Sequence, residues 1–287
     1  MTKNYVIVIE QSLLVNGLKL ATCTPKGKSL EECLEWCPDE PAHFHVIDKR
    51  TNQLIKHKFE SKGFFFFHTI NAYEDGEQIV LDILNYDDHE LLETLRLINL
   101  KNGKFETKTK SKPTRYVLPI GDLKQMKQNE NLIKLDDCKS SAILNNKGII
   151  ELIGDSLGPS GFEMPTINRD RIGKPYNFVY GTGFLEKDVI FENAIGKLDI
   201  KNKDVKLYKH STTSYPGEGV FVKSPNAQDE DDGVILTLAL ESDLNKNSFL
   251  SVLDAKSFKQ LTRIEFERNE ISIPTTLHGI WIEKNDN

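Results

Sequence analysis

Cysteine is scarce: Cys23, Cys33, Cys37 and Cys138 are the only four in 287 residues. Cys33 and Cys37 lie close, with Cys23 upstream, but no second tight pair completes a structural zinc site, and Cys138 stands alone. The pattern is that of reduced thiols in a cytosolic protein. Long hydrophobic runs are lacking too. The apolar stretch Tyr5 to Ile9 is too short for a signal segment or a membrane span. No targeting segment is visible, so the expected location is cytoplasmic. An excess of basic charge is also missing. The net charge is −6 with acids and bases interspersed, which argues against the basic face that a nucleic-acid partner needs. What remains is ordinary: 38% hydrophobic residues, enough for a sizeable core in one large domain or two smaller ones.

The chain is organised around Phe64 to Gly76. Four phenylalanines in a row cannot all face water. The short aromatic run predicts a strand buried on both faces, with His68 at its end and the turn Glu74-Asp75-Gly76 after it. Taken alone, His68 is either a core histidine bonded to a carbonyl or a metal ligand.

Along the rest of the chain, Tyr5 to Ile9 reads as a strand. Residues 11–40 read as irregular, with a short helix around Leu30 to Trp36. His43 to Phe59 reads as a hairpin with a polar turn at Asp48 to Asn52, and Gln78 to Ile83 as a strand. Residues 87–99 give the best helix, from Leu91, Leu95 and Ile98 at helical spacing. Lys104 to Lys110 and Arg115 to Ile120 read as strands, residues 121–141 as a polar connection, and Ala142 to Ile153 as a hairpin. Short strands follow, separated by Gly, Pro, Asn and Asp. This spacing predicts an all-β fold with one short helix: a sandwich, barrel or propeller.

A weak repeat favours the propeller. His45 to His57, Gly196 to Leu207 and Leu250 to Arg263 each run strand, Asp, Lys-containing turn, strand. The first is followed by His68 and Glu74-Asp75-Gly76, the second by Glu218 and Asp231-Asp232-Gly233, the third by His278. Propeller blades place their inner strands around one axis, which would bring His68 and His278 together despite their separation in sequence.

Phe67-His68-Thr69-Ile70-Asn71-Ala72-Tyr73-Glu74-Asp75, Glu230-Asp231-Asp232-Gly233-Val234-Ile235-Leu236 and Ile273-Pro274-Thr275-Thr276-Leu277-His278-Gly279 resemble, in order, three motifs of the carotenoid cleavage oxygenases. Arg115 to Pro119, Gly173 to Tyr176 and Tyr180 to Gly183 fit the animal branch, which holds the β-carotene oxygenases and the retinoid isomerohydrolase. The resemblance implies a seven-bladed β-propeller with Fe(2+) on its axis, held by four histidines that glutamates orient. By motif, His68 would be the third ligand and His278 the fourth, with Glu163 and Glu218 as orienting glutamates. Neutral imidazoles leave the metal cationic and open to dioxygen, and a carboxylate on the other ring nitrogen fixes the tautomer. His43, His45, His57, His89 and His210 match no ligand motif and read as structural or exposed.

The family is nearly twice this length, and its first two ligands lie in its N-terminal half. Residues 1–287 are therefore expected to be a single carotenoid-oxygenase domain lacking that half: a partial propeller. Thr2-Lys3-Asn4-Tyr5 resembles a family segment just after the second ligand. The implied function is oxidative cleavage of a polyene double bond, with a carotenoid or retinoid and dioxygen as partners. The alternatives are a retinoid isomerohydrolase-type enzyme, or an inactive truncated paralogue that survives as a binding protein. The segment Gly17 to Pro25 matches a membrane-contacting loop of the animal members. With two leucines, a lysine and no aromatics, it predicts weak peripheral contact at most.

Overall fold

The computed structural model describes residues 1–102, 108–183, 194–267, 273–274 and 276–283. The chain divides into two compact units, Met1–Lys110 with Thr114–Ser156, and Ser111–Pro113 with Leu157–Asn287.

The first unit carries two main sheets. In one, the order is Tyr5–Glu10, Ala42–Asp48, Lys58–Ser61, Ile149–Ile153, Ser141–Leu144, with Gln53–Leu54 completing the expected hairpin. Alternation along Ala42–Asp48 is clean: Ala42, Phe44 and Val46 point inward, His43 and His45 outward. The other sheet runs Asp155–Ser156, Lys112–Pro119, Gln78–Tyr86, Phe65–Asp75. Gln78–Tyr86 is buried along almost its whole length. Its one acid, Asp82, is 0% exposed and is held by a bidentate Arg115, at 2.8 and 2.7 Å. Phe44, Phe59, Phe64, Ile79, Tyr116 and Ile150 anchor the shared core. Gly76, at φ +58°, makes the turn that joins Phe65–Asp75 to Gln78–Tyr86.

The second unit has a sheet ordered Phe162–Thr166, Phe178–Gly183, Ala194–Asp199, Asp204–Lys209. Its other sheet runs Ser214–Pro216, Gly233–Glu241, Phe249–Asp254, Gln260–Glu265, with Val220–Lys223 also on Gly233–Glu241. Tyr180, Ile195, Phe221, Ile235 and Leu253 form its core. Lys197, 3% exposed, pairs with Asp231 at 2.5 Å and lies 4.1 Å over the Phe178 ring.

One device occurs in both units. The Glu74 carboxylate accepts from Thr2 Oγ1 and from the backbone N–H and Nδ2 of Asn4, the latter two at 2.7 Å. The Glu230 carboxylate accepts from the backbone N–H and Nδ2 of Asn177 and from the Phe178 N–H, at 2.8–3.0 Å. Each glutamate sits at an acidic turn of one sheet and holds the first residues of a strand in another.

Several expectations need correction. The phenylalanine run is only half buried: Phe64 and Phe65 are 2% exposed, but Phe67 is 39% exposed. His68 stands near the start of its strand, not at its end, because pairing continues to Asp75. The helix over 87–99 is two short ones, Glu90–Thr94 and Leu97–Lys101. Leu91 is buried while Ile98 is 61% exposed, so the apolar stripe that suggested one helix does not face one core. The region 11–40 is not irregular throughout. Asn16 caps a helix at Gly17–Cys23, its side chain accepting from the Lys19 N–H at 2.9 Å. The turn at Glu31–Cys33 is a 3-10 turn that passes straight into the strand Leu34–Trp36. Among the described residues there are thus three short α-helices, against the one short helix expected of the fold. Of the strand expected at Lys104 to Lys110, residues 104–107 lie outside the described residues, as does Thr275 of the C-terminal motif, and 108–110 form no strand.

Candidate metal centre

His68, Glu163 and Glu218 share a local setting. His68 and Glu163 lie on the outermost strand of their sheets, where that strand breaks register, and Glu218 lies in the break between the two outer segments of its sheet. In Phe65–Asp75, Phe66 faces Asn85 and Thr69 faces Ile83, so Phe67 and His68 together oppose Leu84. A second shift follows between Thr69 and Asn71. In Phe162–Thr166, Glu163 faces Thr182 and Thr166 faces Tyr180, leaving Met164 and Pro165 opposite Gly181. Met164 takes φ +49°, and Pro165 has no N–H to lose there. Ser214–Pro216 and Val220–Lys223 both pair with Gly233–Glu241: Pro216 faces Ala239 and Val220 faces Leu236. Gly217, Glu218 and Gly219 thus bulge out opposite Thr237 and Leu238. A bulge re-aims a side chain that strict alternation would send elsewhere.

The Glu218 bulge is pinned at both ends. The Gly217 N–H donates to Leu238 O at 2.8 Å, and Thr237 Oγ1 donates to Gly217 O at 3.0 Å. Thr166 Oγ1 donates to Gly219 O, which ties the strand of Glu163 to the loop of Glu218. Both flanking positions need glycine. A Cβ on Gly217 would overlap the Thr276 hydroxyl, and one on Gly219 would come 2.5 Å from Ile195 Cδ1.

Held this way, Glu218 meets the C-terminal segment. Its Oε1 lies 3.1 Å from His278 Nδ1, and its Oε2 accepts from the Gly279 N–H at 2.7 Å. The Glu218 side chain is 10% exposed and that of His278 is 58% exposed. In the neutral tautomer that donates from Nδ1 to this carboxylate, Nε2 keeps the lone pair. A neutral imidazole whose far nitrogen is pinned by a carboxylate is the usual form of a metal-ligating histidine. This donor set fits a borderline transition metal. Glu163 folds back on its own chain, Oε2 accepting from the Met164 N–H at 3.0 Å. His68 belongs to the first unit, whereas Glu163, Glu218 and His278 belong to the second.

The remaining histidines have other settings. His57 lies 2.8 Å from Gly121 O, with burial lowering its pKa. His89 stacks on Trp36. His210 packs edge-on against Tyr208 and beside Phe249, and burial lowers its pKa to about 4. Cys33 is buried, which pushes its thiol pKa up, and all four cysteines are free thiols. The sequence reading missed Thr166 and Thr237 as supports. The glycines bracketing Glu218 in Pro216-Gly217-Glu218-Gly219 were the one signal of a break in the strand.

Among the described residues, no helix is long and apolar enough to cross a membrane. Residues 1–283 match the family of the retinal pigment epithelial membrane protein. A mitochondrial carotenoid-cleaving dioxygenase of Mustela putorius furo is 37% identical, over 98% of this chain and 53% of its own length. The β,β-carotene 15,15'-dioxygenase of Homo sapiens is 34% identical, over 99% of this chain and 51% of its own. The chain thus spans about half the length of the curated relatives it matches. Cobalt-substituted apocarotenoid oxygenase of Synechocystis superposes with a TM-score of 0.78 over 99% of this chain and 52% of that one, at 21% identity.

Proposed function

The chain belongs to the carotenoid oxygenase family of the retinal pigment epithelial membrane protein, and from that premise we propose that it is part of an iron(II)-dependent dioxygenase that cleaves a carotenoid double bond to carbonyl products. The observation that carries the reading is the Glu218 carboxylate bridging His278 Nδ1 and the Gly279 N–H. It holds one ring nitrogen of an exposed histidine, the arrangement that supports reading His278 as a metal ligand. His68 and His278 would supply two of the imidazoles that hold Fe(2+), oriented by Glu163 and Glu218. When bound, the iron supplies a cationic centre at which dioxygen and an apolar polyene can meet.

The chain's own groups do the rest. Glu218 keeps the His278 proton on Nδ1, so Nε2 stays a donor to metal. Its second hydrogen bond, to Gly279, fixes the backbone that carries the ring. The threonines on Gly217 O and Gly219 O fix the carboxylate in turn. The bulge at Phe67–His68 turns that histidine out of strand alternation. Both units are read as blades of one seven-bladed propeller domain, whose remaining blades and ligands come from an N-terminal half. Cleavage is preferred to retinoid isomerisation because the curated relatives cited above are named dioxygenases. A cytoplasmic protein with weak membrane contact completes the reading.

Two proteins test it: residues 1–287, and the same chain joined to an N-terminal half of a relative. Iron is measured after desalting, and aldehyde product from β-carotene by chromatography. We expect the joined protein to hold iron and form product, and residues 1–287 alone to do neither. Iron retention and cleavage by the isolated chain would overturn the assignment of the missing ligands.

A further inference from the structure

A second group of imidazoles and carboxylates lies on the outer face of the first unit. Glu10, His43 and Glu60 are directly paired across three adjacent strands: Glu10 faces His43, and His43 faces Glu60. Paired residues share a sheet face, as do residues two apart on one strand, so His45 joins them. Buried Phe44 and Val46 point the other way. Glu151 pairs with Glu60 on the next strand and extends the acidic edge.

The contacts within this face are close. His45 Nε2 is 2.9 Å from Glu10 Oε2, and His43 Nδ1 is 3.5 Å from Glu60 Oε1. The two rings are 6.3 Å apart, centre to centre. All four side chains are partly open to solvent, between 27% and 55% exposed. The Glu10 carboxyl is held below the usual range, first by its bond to His45.

We propose that Glu10, His43, His45 and Glu60 form a surface site for a divalent transition cation of the zinc class, separate from the proposed iron centre. Two imidazoles and two carboxylates match the N and O donors that such ions take. The two carboxylate charges balance a dication. Hard cations such as Mg²⁺ and Ca²⁺ take oxygen ligands, so the imidazoles select against them.

The spacing supports the same ion. Around a tetrahedral metal with bonds of about 2.0–2.1 Å, neighbouring ligand atoms stand roughly 3.3 Å apart. The two histidine–carboxylate pairs already bracket that spacing. No three of these ligand atoms stand within 4.8 Å of one another, so a bound ion would have to draw the two pairs together through the rotamers of partly exposed side chains. Among the described residues, the group already converged within 4.8 Å is Asp229, Asp231 and Asp232. Those acids are engaged by Lys197 and Lys256 and carry no such role. A bound ion would join Tyr5–Glu10, the edge strand of its sheet, to the two strands beside it.

The test titrates residues 1–287 with Zn²⁺ by calorimetry, and with Co²⁺ by visible absorption. We expect a saturable zinc site and tetrahedral cobalt bands. His43→Ala or His45→Ala should each weaken zinc by more than about tenfold, since losing even a ligand-orienting group costs about 10–100-fold. Glu60→Gln should weaken it less, and His278→Ala should leave it intact. These positions face solvent, so unfolding midpoints without metal should match the parent. Absence of zinc binding by the parent, parental affinity in the His43 and His45 variants, or loss in His278→Ala alone would each overturn the site. None of these outcomes bears on the iron centre except the last, which would place zinc there.

Discussion

Glu218 and His278 are sixty residues apart in sequence, and their side chains meet at 3.1 Å. The same carboxylate holds the next backbone N–H, so ring and main chain are fixed by one group. In a protein that carries all the iron ligands, Glu218→Gln keeps the shape but loses the charge that pins the Nδ1 proton. We expect iron affinity to fall about 10–100-fold, read as iron remaining after challenge with a chelator. Unchanged retention would remove Glu218 from the site.

Gly217→Ala tests the same geometry without touching either partner. A Cβ there collides with the Thr276 hydroxyl, and Thr276 leads into His278. The segment must move away from Glu218. We expect iron loss close to that of Glu218→Gln. The double variant Gly217→Ala/Thr276→Gly should recover part of it, since the colliding hydroxyl is gone. No recovery would mean that the alanine acts through something other than this collision.

His210 gives a pH dependence with a definite sign. Burial lowers its folded pKa to about 4, against about 6.5 when unfolded. Among the described residues, neither ring nitrogen has a hydrogen-bond partner. The depressed value means that its contribution to stability is complete above the unfolded pKa. It is lost as pH falls from about 6.5 towards about 4, where the unfolded chain takes up the proton first. His210→Phe should keep the packing on Tyr208 and Phe249 and flatten this part of the profile. Denaturant midpoints at neutral pH and near pH 4.5 measure it, and an equal slope in both proteins would dismiss His210 as the source.

The Lys197–Asp231 pair is buried on both sides. Asp231→Asn removes the carboxylate charge against the ammonium, which keeps Ala255 O and the Phe178 ring. Breaking one side of a buried pair should cost about 3–5 kcal/mol. Lys197→Met with Asp231→Leu should cost clearly less than the two single changes added together. Additive losses in a denaturant cycle would show that the two groups are not coupled.

The exposed leucines of the Gly17–Cys23 helix give the membrane prediction. Leu18 is 78% exposed and Leu20 43%, beside Leu14 and Val15 on the preceding strand. Liposome flotation of the parent should be weak and should fall to background in Leu18→Ser/Leu20→Ser. Strong flotation that survives both changes would place the contact elsewhere.

Much of this was legible before any coordinates. The strands, their hairpins and the acidic turns follow from period-two patterning and turn residues. His278 and Glu218 could be named from their motifs, although which glutamate meets which histidine could not. Apart from the glycines beside Glu218, the bulges were not legible. A bulge is set by where the partner strand resumes its hydrogen bonds, and nothing in Phe64 to His68 reveals that Leu84 will face two residues. The exposure of Phe67 follows from that same hidden shift. The helix at Gly17–Cys23 escaped notice because seven residues with one buried side chain, Cys23, carry no stripe. The split near Leu95 and Arg96 was hidden because Arg96 turns to Glu31, sixty-five residues away.

The paired clasps at Glu74 and Glu230 bear on how the chain reaches its native state. Each closes over a long span, seventy residues from Asn4 to Glu74 and fifty-three from Asn177 to Glu230. Loop closure on that scale must be met before the bonds can form. The early strands of each unit therefore wait for a turn that arrives much later in the chain. During synthesis, Tyr5–Glu10 leaves the ribosome with its holding carboxylate still untranslated. An apolar edge strand exposed for that interval is where chaperone capture or mispairing would begin.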